Sequence, residues 1–516
     1  MSKKSKDENF LLKEKHPRLA KSLLGSIRKL SDELWWRACW LAPNFFSDPN
    51  FDKDWNEKSN EESRIDEGEE LRIRAVWGIE LFGPNESESL YVAVRALGWS
   101  AGFGLDEGGA LNWVRLQRAY GYGGTYNVGV VNPTSNSQRF IRVQNHTLIP
   151  EDVDYLLVRL HQIVPAVTCV VVCFVLKEVA ADRYEQELNR VRIAECKRGP
   201  HWSIKYLDPS HLKERAIQEV RDQFRNNIYE WFKKNLPGYF VRSNSSQRFP
   251  MAELLCTKFQ DIFCEKERSV HFDWRRLISN VSLQEIWSSK DSSALKFTLK
   301  QEQRSLDQAN LLIASTSLLS FSEERIKTYG GGTAAVVQIC HEQLNGALVC
   351  FGISVFLKEV TRDLKSAREQ LNFSKSNRET LQTIDFIRKF FDRNAGVPAV
   401  ARELREHTKA KGFFEYYCER FTAPPWSNDL PVREFAKEIR ESVHFRASAL
   451  IEDESSTREH FEQLSTILSI RESIRAQRRM EVLTVAALLV AAVSLAAAFP
   501  DVWVADLKVA LFKLQS

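Results

Sequence analysis

The chain has 516 residues and a mass of 59.5 kDa, more than a single core accommodates, so about two to four domains are expected. Hydrophobic residues at 43% and charged residues at 27% exclude wholesale disorder, and 72 Lys and Arg against 68 Asp and Glu leave +4, too little to indicate a basic nucleic-acid groove. Nine cysteines without a CxxC pair exclude a disulfide framework and a zinc-finger pattern, and point to a reducing compartment.

Residues 1–42 read as a basic amphipathic helix: Ala20, Leu23, Ile27, Leu30, Leu34, Ala38 and Leu41 recur every three or four positions, with Trp35, Trp36 and Trp40 alongside. Pro43 ends it, and 43–70 reads as an acidic exposed loop. A β-rich, glycine-containing α/β domain is expected over 71–198. In it Leu71, Ile73, Ala75, Trp77, Ile79 and Leu81 alternate with polar residues as a half-buried strand. GPNESE from Gly83 makes a turn, and Leu90–Leu97 returns as the second strand of a hairpin. The Val-rich run Ile163–Leu176 reads as a buried strand.

Residues 199–329 are expected to be mainly helical, because Gly238 is the only glycine between Gly199 and Gly330 and proline is absent from Met251 to Val397. Leu212, Ala216, Val220, Phe224, Ile228 and Phe232 mark the clearest helix. A second α/β unit with a long helix is expected over 330–430, the helix running from Leu357 to about Arg393. Cys350–Asp363 (CFGISVFLKEVTRD) echoes Cys169–Asp182 (CVVVCFVLKEVAAD), each reading as an apolar strand that runs into a charged helix, which suggests a duplicated α/β unit. Stalk helices follow over 431–481, with a break at 452–456 where Ser456-Thr-Arg-Glu459 forms a capping box.

Val482–Phe499 (VLTVAALLVAAVSLAAAF) carries no charge and would be roughly 27 Å long as a helix, enough to cross a bilayer core. Arg471, Arg475, Arg478 and Arg479 precede it, whereas Asp501, Asp506, Lys508 and Lys513 cancel beyond it. The positive-inside rule therefore predicts a single-pass membrane protein with its bulk cytoplasmic and 500–516 as a short extracytoplasmic tail. Small residues four apart, such as Ala487 and Ala491, allow close helix approach, so the lipid bilayer and further copies of the chain are the expected partners. The fold class is thus α+β: a mixed α/β cytoplasmic body with long helices, a stalk helix and one carboxy-terminal transmembrane helix. In outline, body, stalk and span resemble CorA-type magnesium channels, but no Gly-Met-Asn follows the span and ion transport is not implied.

Candidate chemistry rests on three patterns. Gly98-Trp99-Ser100-Ala101-Gly102 matches GxSxG, where a nucleophile elbow would present Ser100 with His146 or His161 as base. Gly102, Gly104, Gly123, Gly124, Gly330 and Gly331 could lay backbone N–H groups around phosphate, which makes a nucleotide the candidate ligand, although neither GxGxxG nor GxxxxGK[ST] occurs. Arg402 and His407 resemble, in their Arg-x4-His spacing, the pair of HEPN-type ribonucleases, which would act on a scissile phosphate. His341-Glu-Gln-Leu-Asn345 falls one ligand short of HExxH, so no metal site is expected. The whole predicts a membrane-anchored sensor, effector or scaffold that relays a ligand or partner state to an oligomeric membrane segment. The alternative is a membrane-tethered enzyme, a serine hydrolase at Ser100 or a ribonuclease at Arg402 and His407.

Overall fold

A computed structural model describes residues 49–99, 109–121, 123–133, 146–198, 204–242, 246–263, 273–300, 310–318, 321–373, 380–418, 420–427, 429–498 and a few positions beyond 504. The amino-terminal helix expected over 1–42 lies outside them. The described chain is a mixed α+β protein that divides into two compact units, Met1–Phe356 with Glu403–His444, and Leu357–Arg402 with Phe445–Ser516.

The first unit is built on one sheet of eleven strands. Its strands are β1 (Leu71–Phe82), β2 (Gly124–Pro133), β3 (His146–Thr147), β4 (Val153–Val164) and β5 (Val167–Leu176), then, after a separate ribbon of β6 (Glu195–Arg198) and β7 (Ile204–Leu207), β8 (Met251–Thr257), β9 (Ile286–Ser289), β10 (Lys296–Lys300), β11 (Leu311–Ser317), β12 (Phe421–Ala423) and β13 (Arg433–Glu434). The order across the sheet is β13-β12-β9-β10-β11-β8-β1-β5-β4-β2-β3, with β8 and β11 parallel and β1 antiparallel to both its neighbours.

The helices relevant to the argument are α1 (Pro49–Glu62), α2 (Ser87–Ala96), α3 (Gly109–Tyr120), α4 (Arg183–Asn189), α5 (Pro209–Asn235), α6 (Glu323–Thr328), α7 (Gly332–Phe373), α8 (Thr380–Asn394), α9 (Val397–His407), α10 (Lys411–Cys418) and α11 (Phe435–Ala498). The strand expected at Leu71 is β1, but it is covered on both faces rather than half-buried. A Cβ on Gly78 would meet Phe232 and Ile228 of α5, and one on Gly352 of α7 would meet Ile79, so α5 lies on one face and the first part of α7 on the other. The expected helix appears as α5, whose apolar positions from Leu212 to Phe232 are buried. Across that interface Arg221 of α5 and Glu253 of β8, each with 2% side-chain exposure, pair at 2.6 Å. The Tyr184 hydroxyl donates to Glu253 at 2.7 Å, and Arg221 also donates to the Ile278 carbonyl at 2.9 Å.

Several local expectations are corrected. Leu90–Leu97 is not a strand: it falls in α2 and its closing turn, because Leu90, Ala93 and Val94 share one buried face at helical spacing. The partners of β1 are instead β5 and β8. Within 43–70, Pro49–Glu62 is helical, held by Asn60, whose side chain bonds both the N–H and the carbonyl of Arg192, and by Asn56, which accepts from the Ala194 N–H. Four strands, β8 to β11, occupy 251–317, where the lack of Gly and Pro had suggested helix; Asn310, at φ 73°, supplies the left-handed bend before β11 in place of glycine. Ile163–Leu176 is the end of one strand, a bend at Pro165-Ala166, and all of β5. Cys350–Asp363 is helical throughout, inside α7, whereas Cys169–Asp182 runs from β5 into a short helix, so the sequence echo does not correspond to a shared strand–helix unit. The break at 452–456 is absent and α11 is continuous, since the Thr457 hydroxyl bonds back to the Asp453 carbonyl and Arg458 pairs with Glu454, both contacts that a running helix provides.

The second unit is helical. Ala367, Ile387 and Phe461 form its buried centre, with Phe386, Phe390, Phe391 and Leu464 against them. The Arg458 guanidinium lies 4.9 Å over the Phe391 ring, and Arg368 pairs with Asp453 at 2.9 Å. Among the described residues one helical stretch, Gly332–Glu369, is long and apolar enough to cross a membrane, and 83% of its most apolar window is buried inside the protein. The expected span Val482–Phe499 is described as helix up to Ala498, and Phe499 lies outside the described residues.

Candidate functional site

A cluster of polar side chains sits where β4 passes α7. A strand places alternate residues on one face, so Arg159 and His161 of β4 face the same way. On α7, His341, Glu342 and Asn345 follow at the three- and four-residue spacing that puts them on one stripe. Thus the His341-to-Asn345 pattern, one ligand short of a zinc motif, is an i,i+4 pair on a buried helix face. Both histidines are taken up by hydrogen bonds. Trp77 Nε1 donates to His341 Nδ1 at 2.9 Å, and because indole N–H only donates, the neutral His341 proton sits on Nε2, which has no partner among the described residues. The His161 Nε2–H donates to Asn345 Oδ1 at 3.0 Å. His161 Nδ1 then accepts from the Thr125 hydroxyl at 3.0 Å, and Thr125 accepts from the Tyr417 hydroxyl at 2.9 Å.

Burial, with the Arg159 charge as a second cause, pushes His161 down to about 3 and His341 well below its ordinary value. Both are neutral near pH 7, and His161, with both ring nitrogens hydrogen-bonded, relays between Asn345 and Thr125. That neutrality sets a pH dependence. The unfolded chain protonates His161 near 6.5 and the folded protein only near about 3, so the unfolded state binds more protons in this window and stability falls as pH drops from 6.5 toward 3. Between pH 7 and pH 5 the wild type should lose about 2 kcal/mol more stability than His161→Gln. Denaturant midpoints at the two pH values measure this, and parallel losses in the two proteins would contradict it.

The network borders a cleft of about 510 Å³ whose lining includes Thr125, Arg159, Arg325, Tyr329, Glu342, Gln343, Asn345, Tyr417 and Arg420. Three guanidinium groups face one carboxylate. Glu342 accepts from the Tyr329 hydroxyl at 2.6 Å and from Gln338 at 2.9 Å, and stands 3.6 Å from Arg159. Arg420 pairs with Asp291 at 2.9 Å, with both side chains substantially exposed, a rim contact that adds little to stability. Gly346 of α7 lies against α10: a Cβ there would stand 2.1 Å from the Tyr417 carbonyl oxygen, so only glycine lets the two helices approach this closely.

The sequence candidates are dispersed. Ser100, Gly102 and Gly104 lie outside the described residues. Gly98 is placed: at φ 74° it follows α2, with the Gly98 and Trp99 amides closing onto Arg95 and Val94, so a helix precedes Ser100 where a nucleophile elbow needs a strand. Gly123, Gly124 and His407 are brought together along a second, mainly apolar cavity of about 650 Å³. Burial lowers the His407 pKa, and its ring rests against Phe413 and Phe414. Arg402 is exposed on the same helix, and five residues of helix turn the two side chains about 140° apart. Gly330 and Gly331 follow α6, and their amides donate to the Lys327 and Ile326 carbonyls, so these N–H groups are used within the turn. Among the described residues no group of three or more His, Cys, Asp and Glu side chains is placed to hold a metal ion.

Sequence reasoning missed the cleft arginines and Gln343, which come from β4, α6, α7 and the turn after α10. The available signal was the polar Arg159-Leu-His161-Gln162 inside a mostly apolar strand. Compared with protein-family models, with curated proteins and with solved structures, the chain matches none.

Proposed function

We propose that the protein is a membrane-anchored receptor, in which the arginine-lined cleft takes up a ligand and the carboxy-terminal part of α11 holds the chain in the bilayer. The observation that carries this reading is the surface of α11 beyond Glu481. Val482, Leu483, Val485, Leu488, Leu489, Val490, Val493 and Leu495 are each 56% to 68% exposed, all around the helix. A helix apolar on every side needs a hydrocarbon surrounding, whether protein or lipid. Gly332–Glu369 has its surroundings within the protein, whereas the end of α11 has none among the described residues.

The arginines at 471, 475, 478 and 479 put the preceding chain on the cytoplasmic side. The alanine faces of the span favour association of copies. Phe435, at the start of α11, packs 5.0 Å from both Trp287 and Phe297, and the helix is continuous in the chain to Ala498, which gives a ligand-dependent shift at its start a covalent route toward the span. Fractionation of cells expressing the full chain and a chain ending at Glu481 tests the reading. The full chain should sediment with membranes and the shortened one remain in the supernatant; equal partitioning of the two would overturn it.

A further inference from the structure

The arginine cleft holds more hydrogen-bonding capacity than the protein itself uses. Gln343 lines it from α7, is only 4% exposed, and neither its Oε1 nor its Nε2 has a partner among the described residues. A buried amide with both ends unmet is destabilising, so its presence calls for a partner that arrives from outside. Arg159 Nε, on the same wall, is likewise unmet. Arg325 and Arg420 bring two further guanidinium groups to the same space, Arg420 held on one side by Asp291 at the rim, and the one lining carboxylate, Glu342, accepts from Tyr329 and Gln338 and stands 3.6 Å from Arg159.

From this arrangement we infer that the cleft binds a nucleoside monophosphate. The guanidinium groups of Arg159, Arg325 and Arg420 take the phosphate, and the Gln343 amide reads the edge of the base. The inference rests on the reading of this cleft as the ligand site and names its ligand class. The charge fits any phosphate, and three further observations favour a nucleotide over a simpler anion. Guanidinium forks match phosphate oxygens in pairs, which accounts for the charge. A side-chain amide presenting a donor and an acceptor together complements the donor–acceptor edge of a base, which inorganic phosphate lacks. The volume of about 510 Å³ falls in the range of small-molecule sites and exceeds what a bare anion fills. Tyr416, 78% exposed beside the cleft, adds a ring face on which a base can stack.

The test uses the full chain in detergent micelles, titrated by calorimetry with AMP, adenosine and inorganic phosphate. AMP should bind saturably, with adenosine and phosphate each at least about tenfold weaker, since each lacks one set of contacts. Arg325→Gln and Gln343→Leu should each weaken AMP binding at least about tenfold. The ligand-free melting temperature separates this from a folding defect: Gln343→Leu should hold or raise it, because the substitution removes an unmet buried amide, and Arg325→Gln should leave it unchanged. Absence of saturable AMP binding up to about 1 mM, phosphate binding as tight as AMP, or AMP binding unaltered in both variants would each overturn the inference. Lipid association of the same preparation is read separately. A chain that binds AMP but needs no detergent overturns the anchor and keeps the cleft, and one that stays with lipid but binds no AMP does the reverse.

Discussion

Replacing Leu489 and Val493 with arginine should release the full chain from the membrane fraction while leaving its soluble fold intact. The two positions are one helical turn apart near the middle of Val482–Ala498, and both side chains are exposed, so no protein contact is lost. Across Val482–Phe499, Leu, Val and Phe residues each contribute about −0.3 to −0.6 kcal/mol to insertion, and nine of them with seven near-neutral alanines give roughly −3 to −5 kcal/mol. An arginine near the helix centre opposes this by about 2.5–3.5 kcal/mol, so the pair outweighs the whole apolar contribution. Leu489→Ala with Val493→Ala removes only about 1 kcal/mol and should leave most of the chain with the membrane. If the arginine pair fractionates with membranes as the wild type does, the segment is not held by hydrocarbon.

The second large effect lies in the core. Arg221→Met should destabilise the first unit by about 3–5 kcal/mol, because it leaves the Glu253 carboxylate buried beside the Tyr184 hydroxyl without its charge partner. Replacing both residues, Arg221→Met with Glu253→Leu, should recover most of that loss, since two apolar side chains of similar volume need no partner charge. Chemical denaturation of the single and double variants measures the difference. A double variant as unstable as the single one would show that the pair does more than satisfy itself at the α5–β8 interface.

What could be read from the sequence follows a physical division. β1 and α5 were legible because their apolar residues repeat at periods of two and four, and α5 ends beside Pro237-Gly238. The Leu90–Leu97 segment misled because a short apolar run fits either period, and its burial against neighbouring elements decides for helix. The same ambiguity, on a longer run, made CFGISVFL look like a strand: it is buried on nearly all sides inside α7, so no polar face marks the helical repeat. The strands of 251–317 were hidden because Asn310 makes the bend that glycine usually signals. The Ser456–Glu459 capping box was present in letters only, since a cap acts where the chain enters a helix, and here it is already helical.

The site was less legible than the fold. His161, Asn345 and Thr125 are brought together by strand pairing and helix packing across more than two hundred residues of chain. No local spacing encodes that. The glycines, which sequence reading singled out for backbone contacts to phosphate, are used differently where described: Gly330 and Gly331 close a helical turn, and Gly123 and Gly124 border the apolar cavity. In the proposed site the charge for an anion comes from arginine side chains scattered along the sequence.

The central claim is that the last apolar stretch of α11 resides in lipid. Flotation of the full chain with phosphatidylcholine–phosphatidylglycerol vesicles, followed by an alkaline carbonate wash, tests it most directly. The protein should rise with the vesicles and remain there after the wash, and a chain that stays at the bottom of the gradient as a monodisperse, detergent-free species would contradict the account.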